Sequence, residues 1–544
     1  MSVVRVGIAQ INACVGDLAG NAAKVLQAAR EAHGLGADIL VAPELVLTGY
    51  PPEDLLLRPL FIERQHAELE KLAAELGALA GLHVLVGHVQ RREGRLYNAA
   101  SLLAAGRNLG TYCKRELPNY SVFDEQRYFT PDTRPLVFEV KGQRFGVNIC
   151  EDIWFERTAQ AAVHAGAQVL LVPNASPYNL GKQAERLMMA QRTVAQTGCA
   201  LIYANMVGGQ DELVFDGASF ALDGEGQVRA RLADFVEGVK IVELHPGGVI
   251  EPVGADAAVQ PDSDEAQVWN ALVLGTRDYL GKNRFSGAII GLSGGIDSAV
   301  VLAVAVDALG ADNVHAVMMP SRYTADISLT DARDMAQRVG VRYDEIIIGP
   351  VVDAFEDALA PHFAGLPVDA TEENIQARAR GTLLMALSNK TGRLVLTTGN
   401  KSEMTTGYCT LYGDMAGGFA VIKDVPKTLV YRLAAWRNTQ GDIIPERIIT
   451  RPPSAELRPD QKDQDSLPPY DVLDGIVVRY MEQNASAADI VAEGYPPEAV
   501  EQVLRLIRIN EYKRRQAPPG PRITPRAFGR DWRYPVTNGF RESP

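Results

Sequence analysis

One segment in the second half of the chain restricts the possible folds more than any other. Residues 288–320 read as an apolar strand, a glycine-rich turn, an apolar helix and a second apolar strand: "AIIGL", "SGGID", "SAVVLAVAVDALG" and "VHAVMMP". This order is typical of parallel strands joined by a crossover helix. Two more strand-like runs follow, "YDEIIIG" and "RLVLTTGN". The second half is therefore predicted to be a mainly parallel, doubly wound α/β sheet.

The first half shows a similar alternation of strands and helices. Apolar strand-like runs are separated by helical stretches such as "NAAKVLQAAREAHGLG", which indicates α/β structure with buried sheets. The runs are "VVRVGIAQ", "ADILVAPEL", "HVLVGHVQ", "RFGVNICED", "QVLLVPNAS" and "ALIYANMVGG".

The length of 544 residues favours two domains over one, because a single core rarely grows that large. Periodicity fades in "ELHPGGVIEPVGADAAVQPDSDEA", where Pro, Gly and Asp accumulate as they do in linkers. We place the boundary at about residue 260, which gives one domain over 1–260 and another over 261–544.

Composition excludes several functional classes. The formal net charge of −13 argues against general binding to nucleic acid or to anionic membranes. The start of the chain lacks the longer apolar core of a signal peptide, and Asp307 interrupts the run "AVVLAVAVDALG" before it could span a bilayer. The cysteines form no C-x-x-C pair, so we expect a reducing cytoplasmic location, without a disulfide framework or a structural zinc site. They are Cys14, Cys113, Cys150, Cys199 and Cys409.

Three polar residues follow strand-like runs in the first half and suggest amide hydrolysis. They are Glu44 after "ADILVAP", Lys114 after "LGTYC" and Cys150 after "RFGVNI". Strand ends of an α/β sheet lie at one edge, where distant residues can meet. A thiol that attacks an amide needs a base and then an acid, and Glu44 suits both tasks. Lys114 could stabilise the thiolate and the oxyanion. Each residue taken singly is also compatible with packing or solvation.

The sequence around these residues resembles the nitrilase-type carbon-nitrogen hydrolases over most of the first half. The motifs are "PELVLTGYPPEDL", "KRELPNYSVFDE" and "NICEDIW". The resemblance implies an α-β-β-α sandwich, with Glu44 as general base, Lys114 as the oxyanion-stabilising lysine and Cys150 as nucleophile.

In the members of that family that use glutamine, three further positions hold the amino-acid end of the substrate. The matching residues here are Tyr120, Ser176 and Lys182. Tyr120 could equally be a packing aromatic residue, and Ser176 could be a turn residue in "NASPY".

The loop Ser293-Gly294-Gly295-Ile296-Asp297-Ser298 is predicted to bind phosphate. Its glycines let backbone N–H groups approach an anion, the following helix dipole favours negative charge there, and the hydroxyls add donors. It is neither a Walker loop nor a G-x-G-x-x-G fingerprint. A capped helix start is the plain structural alternative.

The same loop resembles the S-G-G-x-D-S signature of the ATP pyrophosphatases, which activate a substrate as its adenylate. The resemblance implies that Asp297 helps to hold Mg²⁺, a cation that prefers oxygen ligands. GMP, asparagine and argininosuccinate synthetases share the loop, as do tRNA-thiolating enzymes, although those often use C-x-x-C pairs that are missing here.

The remaining motifs of the second half resemble the glutamine-dependent NAD synthetase family. In order they are "MPSRYTADIS", "ENIQARARG", "TTGNKSEMTTGYCTLYGDMAGG", "DQDSLPPYDVLD" and "EYKRRQAPPGPRIT". The resemblance implies that Thr398 contacts ATP, that Asn374 and Lys513 contact deamido-NAD, and that Glu403 joins Asp297 at Mg²⁺ or meets the dinucleotide. It also implies a homo-oligomer that acts on small molecules.

Two features of the second half stay open at this stage. Lys513 begins the basic tail "KRRQAPPGPRITPRAFGRDWR", which is either a solvated arm or a clamp on phosphates. The loop "DQDSLPPYD" carries Gln464 where relatives often have an acid, so its role at a metal or in closure is undecided.

The sequence therefore predicts a two-site ligase that hydrolyses glutamine through a Cys150 thioester and uses the ammonia to amidate adenylated deamido-NAD. Three alternatives remain: an amidotransferase that makes a different amide, a nucleotide sensor without turnover, and an amidase with an accessory domain. Glutamine hydrolysis without a response to ATP would indicate the last of these.

Overall fold

A computed structural model describes residues 3–253, 262–459, 461 and 463–542 of the chain. The chain divides into two compact units, Met1–Asp262 and Ser263–Pro544. The boundary predicted at about residue 260 falls in residues 254–261, which lie outside the described residues. No helix within the described ranges combines the length and the apolar character needed to cross a membrane.

The first unit consists of strands with four α-helices among its described residues. The helices are α1 (Leu18–Gly34), α2 (Pro59–Leu76), α3 (Glu156–His164) and α4 (Lys182–Thr197). The strands are β1 (Val4–Gln10), β2 (Ile39–Val41), β3 (His83–Arg92), β4 (Arg95–Ala104), β5 (Arg107–Cys113), β6 (Val137–Val140), β7 (Gln143–Val147), β8 (Val169–Asn174), β9 (Ala200–Asn205), β10 (Val207–Gln210), β11 (Leu213–Asp216), β12 (Phe220–Leu222), β13 (Val228–Arg231), β14 (Gly238–Leu244) and β15 (Ile250–Pro252). Short 3₁₀ turns occupy Glu53–Leu57, Glu125–Arg127 and Cys150–Trp154.

The strands form two large sheets in the described part of this unit. One has the order β15-β14-β1-β2-β3-β4-β5 and the other β13-β12-β9-β8-β7-β6, while β10 and β11 form a separate hairpin. In the middle of each sheet three strands run parallel, β1-β2-β3 in the first and β7-β8-β9 in the second. The ends of parallel strands thus meet at one edge of each sheet.

The two sheets pack face to face, and helices cover their outer faces. Alternate residues of β1 and β8, such as Val6 and Leu171, share one apolar cluster between the sheets. The opposite face of β8 carries Leu170, which packs with Val194 of α4. Helices α1 and α2 cover the other sheet in the same way. The layer order is α-β-β-α, as the family resemblance predicted.

The local sequence explains why the helices form where they do. In α1 the buried residues Ala22, Val25, Ala29 and Ala32 recur every three or four positions, which produces one apolar face. The Asp17 side chain accepts the Gly20 N–H at 3.1 Å and caps the first turn.

The second unit contains a parallel sheet and many helices. Its strands are β16 (Ala288–Gly291), β17 (Val314–Met318), β18 (Arg342–Glu345), β19 (Leu394–Thr397) and β20 (Phe419–Ala420). Its helices are α5 (Asp264–Lys282), α6 (Ile296–Leu309), α7 (Asp326–Val339), α8 (Gly349–Phe363), α9 (Ala370–Thr391), α10 (Lys401–Thr406), α11 (Lys427–Thr439), α12 (Glu446–Thr450), α13 (Tyr470–Val477), α14 (Ala487–Ala492), α15 (Pro497–Ile509) and α16 (Glu511–Arg514). Short 3₁₀ turns lie at Ala311–Asn313 and Asp463–Asp465, and a π-helical turn at Val478–Glu482.

The described strands of the second unit pair in the order β18-β17-β16-β19-β20, and every pairing is parallel. Residues of α8 and α9 pack on one face of the sheet, against Ile289, Val317 and Val395. On the other side lies α6, which is buried almost all round and also contacts α5 and α11. Helices on both faces of a parallel sheet define a doubly wound fold, which confirms the predicted class.

Candidate active sites

Glu44, Lys114 and Cys150 lie together in the first unit, and all three are buried. Glu44 follows β2, Lys114 directly follows β5, and Cys150 begins the 3₁₀ turn that comes shortly after β7. Lys114 Nζ donates to Glu44 Oε1 at 2.7 Å. The charges of Glu44 and Lys114 both act on the pKa of the Cys150 thiol. The structure therefore brings the three predicted residues into one site.

The surroundings of the Cys150 thiol favour its protonated form. Burial raises its pKa well above the usual value, and the charge of Glu44 raises it further, while Lys114 opposes the shift. The backbone at Cys150 has a φ of 46°, in the left-handed region that non-glycine residues rarely adopt. A buried, protonated thiol needs a nearby base before it can attack a carbonyl carbon.

Glu44 is held by three hydrogen-bond donors. Besides Lys114, Asn98 Nδ2 donates to Oε1 at 2.7 Å, and the Ala175 N–H donates to Oε2 at 2.9 Å. Ala175 follows β8, so the loop after one strand fixes the carboxylate that follows another. This arrangement keeps the carboxylate in one orientation beside the thiol.

Glu125 is a fourth member of the site that the sequence did not single out. Lys114 Nζ donates to its Oε1 at 2.9 Å, and the Tyr50 hydroxyl donates to the same atom at 3.0 Å. Burial raises the pKa of Glu125 to about 7, with Lys114 opposing and Glu44 reinforcing the shift. Glu125 belongs to the quoted motif "KRELPNYSVFDE", but it follows Asp124 in an irregular segment. No local pattern distinguishes the two acids.

Lys114 remains charged between its two carboxylates. Burial alone would lower its pKa, but Glu125 and Glu44 raise it well above the usual value. A fixed ammonium group beside a nucleophile is suited to stabilise a developing oxyanion.

Tyr120 and Lys182 both lie beside Glu151, the neighbour of the nucleophile in the sequence. The Tyr120 hydroxyl donates to Glu151 Oε1 at 3.0 Å, and its ring is half exposed. Lys182 is the first residue of α4, and its Nζ lies 4.7 Å from the centre of the Trp154 ring. The charge of Lys182 also acts on the pKa of Glu151, which burial raises.

Ser176 is buried in the loop after β8. Its Oγ accepts from Arg186 Nε at 3.0 Å, and its carbonyl accepts from Arg186 Nη2 at 2.7 Å. Arg186 is itself fully buried and paired with Asp216 at 2.7 Å. Ala175, the residue before Ser176, donates its N–H to Glu44 Oε2 at 2.9 Å, so Ser176 lies next to the site of the nucleophile.

A cavity of about 590 Å³ opens beside these residues. Tyr120 and Glu151 form part of its wall, together with Arg115, Phe155 and Arg157. The catalytic residues do not line this cavity, so it lies beside the turn of the nucleophile and reaches the site only through Tyr120 and Glu151.

In the second unit the predicted phosphate loop joins β16 to α6. Gly294 has a φ of 80°, and a Cβ there would lie 2.4 Å from the Ser328 carbonyl oxygen, so only glycine fits. Ser293 Oγ accepts the Gly295 N–H at 3.3 Å and lies 3.0 Å from Ser298 Oγ. The hydroxyls of the loop thus fix its turn at the amino end of α6.

All the predicted site residues of the second unit line one cavity of about 500 Å³. The phosphate loop, a strand end and residues from α9, α10 and α16 share its wall. These residues are Ser293, Gly294, Gly295, Ile296, Asp297, Ser298, Asn374, Thr398, Glu403 and Lys513.

Asp297 and Glu403 form an acidic cluster with a buried lysine in this cavity. Lys427 Nζ donates to Asp297 Oδ2, and Asn400 Nδ2 donates to Oδ1 at 3.0 Å. Burial raises the pKa of Glu403 well above the usual value, and Asp297 adds to the shift. Lys427 was not predicted, because it lies outside the motif blocks and 130 residues from Asp297.

Two of the residues predicted to contact deamido-NAD are hydrogen-bonded to the segment 407–410, which lies at the cavity wall. Lys513 Nζ donates to the carbonyls of Gly407 and Cys409, at 2.7 and 2.8 Å. Asn374 Oδ1 accepts from Thr410 Oγ1 at 2.8 Å. Both side chains are therefore held by protein contacts at the cavity wall.

The loop around Gln464 supplies an acidic residue to the cavity wall, but this residue is Asp463 and not the residue at position 464. Gln464 is exposed, whereas Asp463 is buried and lines the cavity. Asp463 Oδ2 accepts from the Tyr470 hydroxyl at 2.8 Å, and burial raises its pKa.

The basic tail after Lys513 is packed against the second unit rather than solvated. The N–H groups of Ile523 and Thr524 both donate to Asp424 Oδ2 at 2.7 Å. Arg522 Nε donates to Asp531 Oδ2 at 2.6 Å within the tail. These contacts contradict the interpretation of the tail as a free surface arm.

Comparison with known proteins finds one family match in each of the two units. The carbon-nitrogen hydrolase family matches residues 5–251, and the NAD synthase family matches residues 268–517. The glutamine-dependent NAD(+) synthetase of Acinetobacter baylyi is 50% identical over 548 residues, with 99% of each chain covered. That of Xanthomonas campestris is 52% identical and covers 99% of this chain and 98% of its own.

A solved structure is also similar over the whole length. It is the glutamine-dependent NAD+ synthetase of Acinetobacter baumannii in complex with adenosine diphosphate, with 45% identity, a TM-score of 0.79 and 100% of both chains covered. These matches confirm the family and the enzyme class that the motifs predicted. The chain belongs to the family of glutamine-dependent NAD(+) synthetases.

Proposed function

We propose that the first unit hydrolyses glutamine through a thioester on Cys150. Glu44 takes the thiol proton as Sγ attacks the side-chain amide carbon, and Lys114 Nζ stabilises the oxyanion. Glu44 then returns the proton to the leaving nitrogen, which departs as ammonia. Water attacks the thioester with Glu44 again as base, and glutamate and the free thiol result. The buried contact of Lys114 with Glu44 beside Cys150 is the observation that carries this proposal.

The amino-acid end of glutamine binds beside Glu151. Lys182 pairs with the α-carboxylate and Glu151 with the α-ammonium, while Tyr120 and Ser176 add hydrogen bonds. The hydrogen bond from Tyr120 to Glu151 and the effect of the Lys182 charge on the pKa of Glu151 support this assignment. The side-chain amide of the substrate then points to Cys150.

The second unit activates deamido-NAD with ATP. A nicotinate carboxylate oxygen attacks the α-phosphorus of ATP, and pyrophosphate leaves. Ammonia then attacks the carbonyl carbon of the adenylate, which releases AMP, forms NAD and gives up one proton. The N–H groups of Ser293–Ser298 bind the phosphates together with Lys427, Thr398 contacts ATP, and Asn374 and Lys513 contact deamido-NAD. The shared cavity of these residues supports this assignment.

Mg²⁺ fits the carboxylates of Asp297 and Glu403. Burial and the charge of Asp297 raise the pKa of Glu403 although Lys427 opposes the shift, and carboxylate oxygens are the ligands that Mg²⁺ prefers. When bound, the ion would neutralise charge on the pyrophosphate leaving group. Glu403 also lies where it can meet the dinucleotide.

We also propose the domain bounds 1–260 for the amidase and 261–544 for the synthetase, which the two compact units and the two family matches support. A cytoplasmic location agrees with five free cysteines. A homo-oligomer, which the family resemblance implies, can be tested by light scattering.

The overall reaction can be tested with the purified protein. Given deamido-NAD, ATP, Mg²⁺ and glutamine carrying ¹⁵N in its side-chain amide, it should form labelled NAD together with AMP and glutamate. Glutamate release without NAD formation under these conditions would refute the proposal.

A further inference from the structure

Asp152 connects the segment of the lysine to the turn of the nucleophile. Its side chain is fully buried and accepts four hydrogen bonds. Oδ1 accepts the N–H groups of Arg115 and Glu116 at 3.1 and 2.9 Å. Oδ2 accepts the Ile149 N–H and the Tyr112 hydroxyl, both at 2.8 Å. The four donors thus come from the residues that flank Lys114 and from the residue before Cys150.

These contacts fix the backbone at two places, beside Cys150 and beside Lys114. Cys150 has a positive φ, a conformation that a non-glycine residue keeps only where its surroundings enforce it. The bond from Ile149 closes the turn immediately before this residue. The Lys114 N–H donates to the Asn98 carbonyl of β4 at 2.8 Å, and Asp152 holds the two residues that follow Lys114.

We propose that Asp152 is a positioning residue for glutamine hydrolysis, because its carboxylate fixes the backbone of Cys150 relative to that of Lys114. This inference rests on the proposed roles of Cys150 and Lys114. Asp152 acts through these two residues.

Only an ionised carboxylate can make this set of contacts. All four partners are donors, so every lone-pair direction of Asp152 is used for accepting. Burial raises the pKa of Asp152 to about 6, with the N–H of Ile149 opposing the shift, so the group is ionised above neutral pH. An amide in its place would direct its own N–H bonds at N–H groups, and at least one partner would have to move.

The test compares two substitutions of buried aspartates in the full-length protein. Asp152→Asn is expected to lower kcat for glutamine hydrolysis about a hundredfold, as about 1 Å of misplacement does, with KM within about threefold of wild type. NAD formation from ammonium should be unchanged. The matched control is Asp223→Asn, because Asp223 is also buried and accepts the N–H groups of Glu225 and Gln227, away from the site. The control should keep the wild-type kcat.

A purely structural role predicts a different result. Asp152→Asn and Asp223→Asn would then lower the thermal midpoint alike and leave kcat per folded molecule unchanged, which would overturn the inference. Asp152→Glu decides the question if the amide variant does not fold, because it keeps the charge but moves the carboxylate by one methylene. Its kcat should stay at least about tenfold below wild type, and a wild-type kcat would refute positioning.

Cys150→Ala, assayed in parallel, separates the inference from the proposed function. If that variant still hydrolysed glutamine, the proposed nucleophile would be wrong. If it were inactive while Asp152→Asn and Asp152→Glu kept full kcat, only the inference would fail.

Discussion

Replacement of Glu125 by glutamine should slow glutamine hydrolysis about tenfold above neutral pH and remove a pH dependence that the wild type shows. Glu125 shares the Lys114 ammonium with Glu44, through contacts of 2.9 and 2.7 Å. Without the charge of Glu125, the Lys114 ammonium interacts more strongly with Glu44, which is the proposed base. The substitution keeps the size of the side chain, so it removes charge with little loss of packing.

The expected loss in kcat follows from the weakened hydrogen bond between Lys114 and the side chain at position 125. A hydrogen bond to a charged partner contributes about 1.5–3 kcal/mol, and a neutral acceptor gives roughly half of that. Glu125→Gln therefore costs about 1–1.5 kcal/mol at Lys114, which corresponds to roughly a tenfold loss in kcat.

The pH dependence has a definite direction. Burial raises the pKa of Glu125 to about 7, so the carboxylate is charged above that pH and takes up a proton below it. Protonated Glu125 is a neutral acceptor, like glutamine. As pH falls through about 7, the wild-type kcat should therefore approach that of Glu125→Gln, and the two should converge below about pH 6.

The assay is glutamate release at saturating glutamine, from about pH 5.5 to about pH 8.5. Glu243→Gln serves as control, because Glu243 of β14 pairs with Arg5 of β1, and its loss should leave kcat unchanged. A constant ratio between wild type and Glu125→Gln across this range would refute the link between the charge of Glu125 and turnover.

Three more substitutions test the other assignments. Cys150→Ala should abolish NAD formation from glutamine and leave that from ammonium largely intact; loss of both in a folded protein would contradict two separate sites. Asp297→Asn should lower NAD formation from either nitrogen source about a hundredfold, or about 3 kcal/mol, while basal glutamine hydrolysis continues; NAD formation near wild type would remove Asp297 from the phosphates. Gly294→Ala should raise the KM for ATP at least about tenfold, because its Cβ would meet the Ser328 carbonyl at a φ of 80°; an unchanged KM would show that the loop does not bind ATP.

The sequence predicts those parts of the sites that lie in local motifs. Cys150, Lys114 and the Ser293–Ser298 loop each follow a strand, so the motif and the strand end coincide. Glu125 and Lys427 could not be found in this way. Each reaches its site through contacts between distant segments, and nothing in its neighbourhood distinguishes it from a solvated charge.

The hydrophobic periodicity of the sequence could not predict the sandwich of the first unit either. Its central strands are apolar on both faces: Leu170 faces a helix layer, while Leu171 faces the other sheet. The same continuous apolar run describes the strands of a doubly wound sheet with helices on both sides. The pattern therefore shows that both faces are buried, but the layer that covers each face depends on packing between distant parts of the chain.

The two sites share one electrostatic arrangement and use it differently. In each, a buried lysine lies between carboxylates: Lys114 between Glu44 and Glu125, and Lys427 beside Asp297 and Glu403. At the first site the lysine contacts both acids directly, and its charge opposes the rise that burial causes in the pKa of Glu125. At the second site the lysine donates to Asp297, and burial with the charge of Asp297 leaves Glu403 with a strongly raised pKa. These surroundings disfavour the ionised form of Glu403, and a bound cation would favour it.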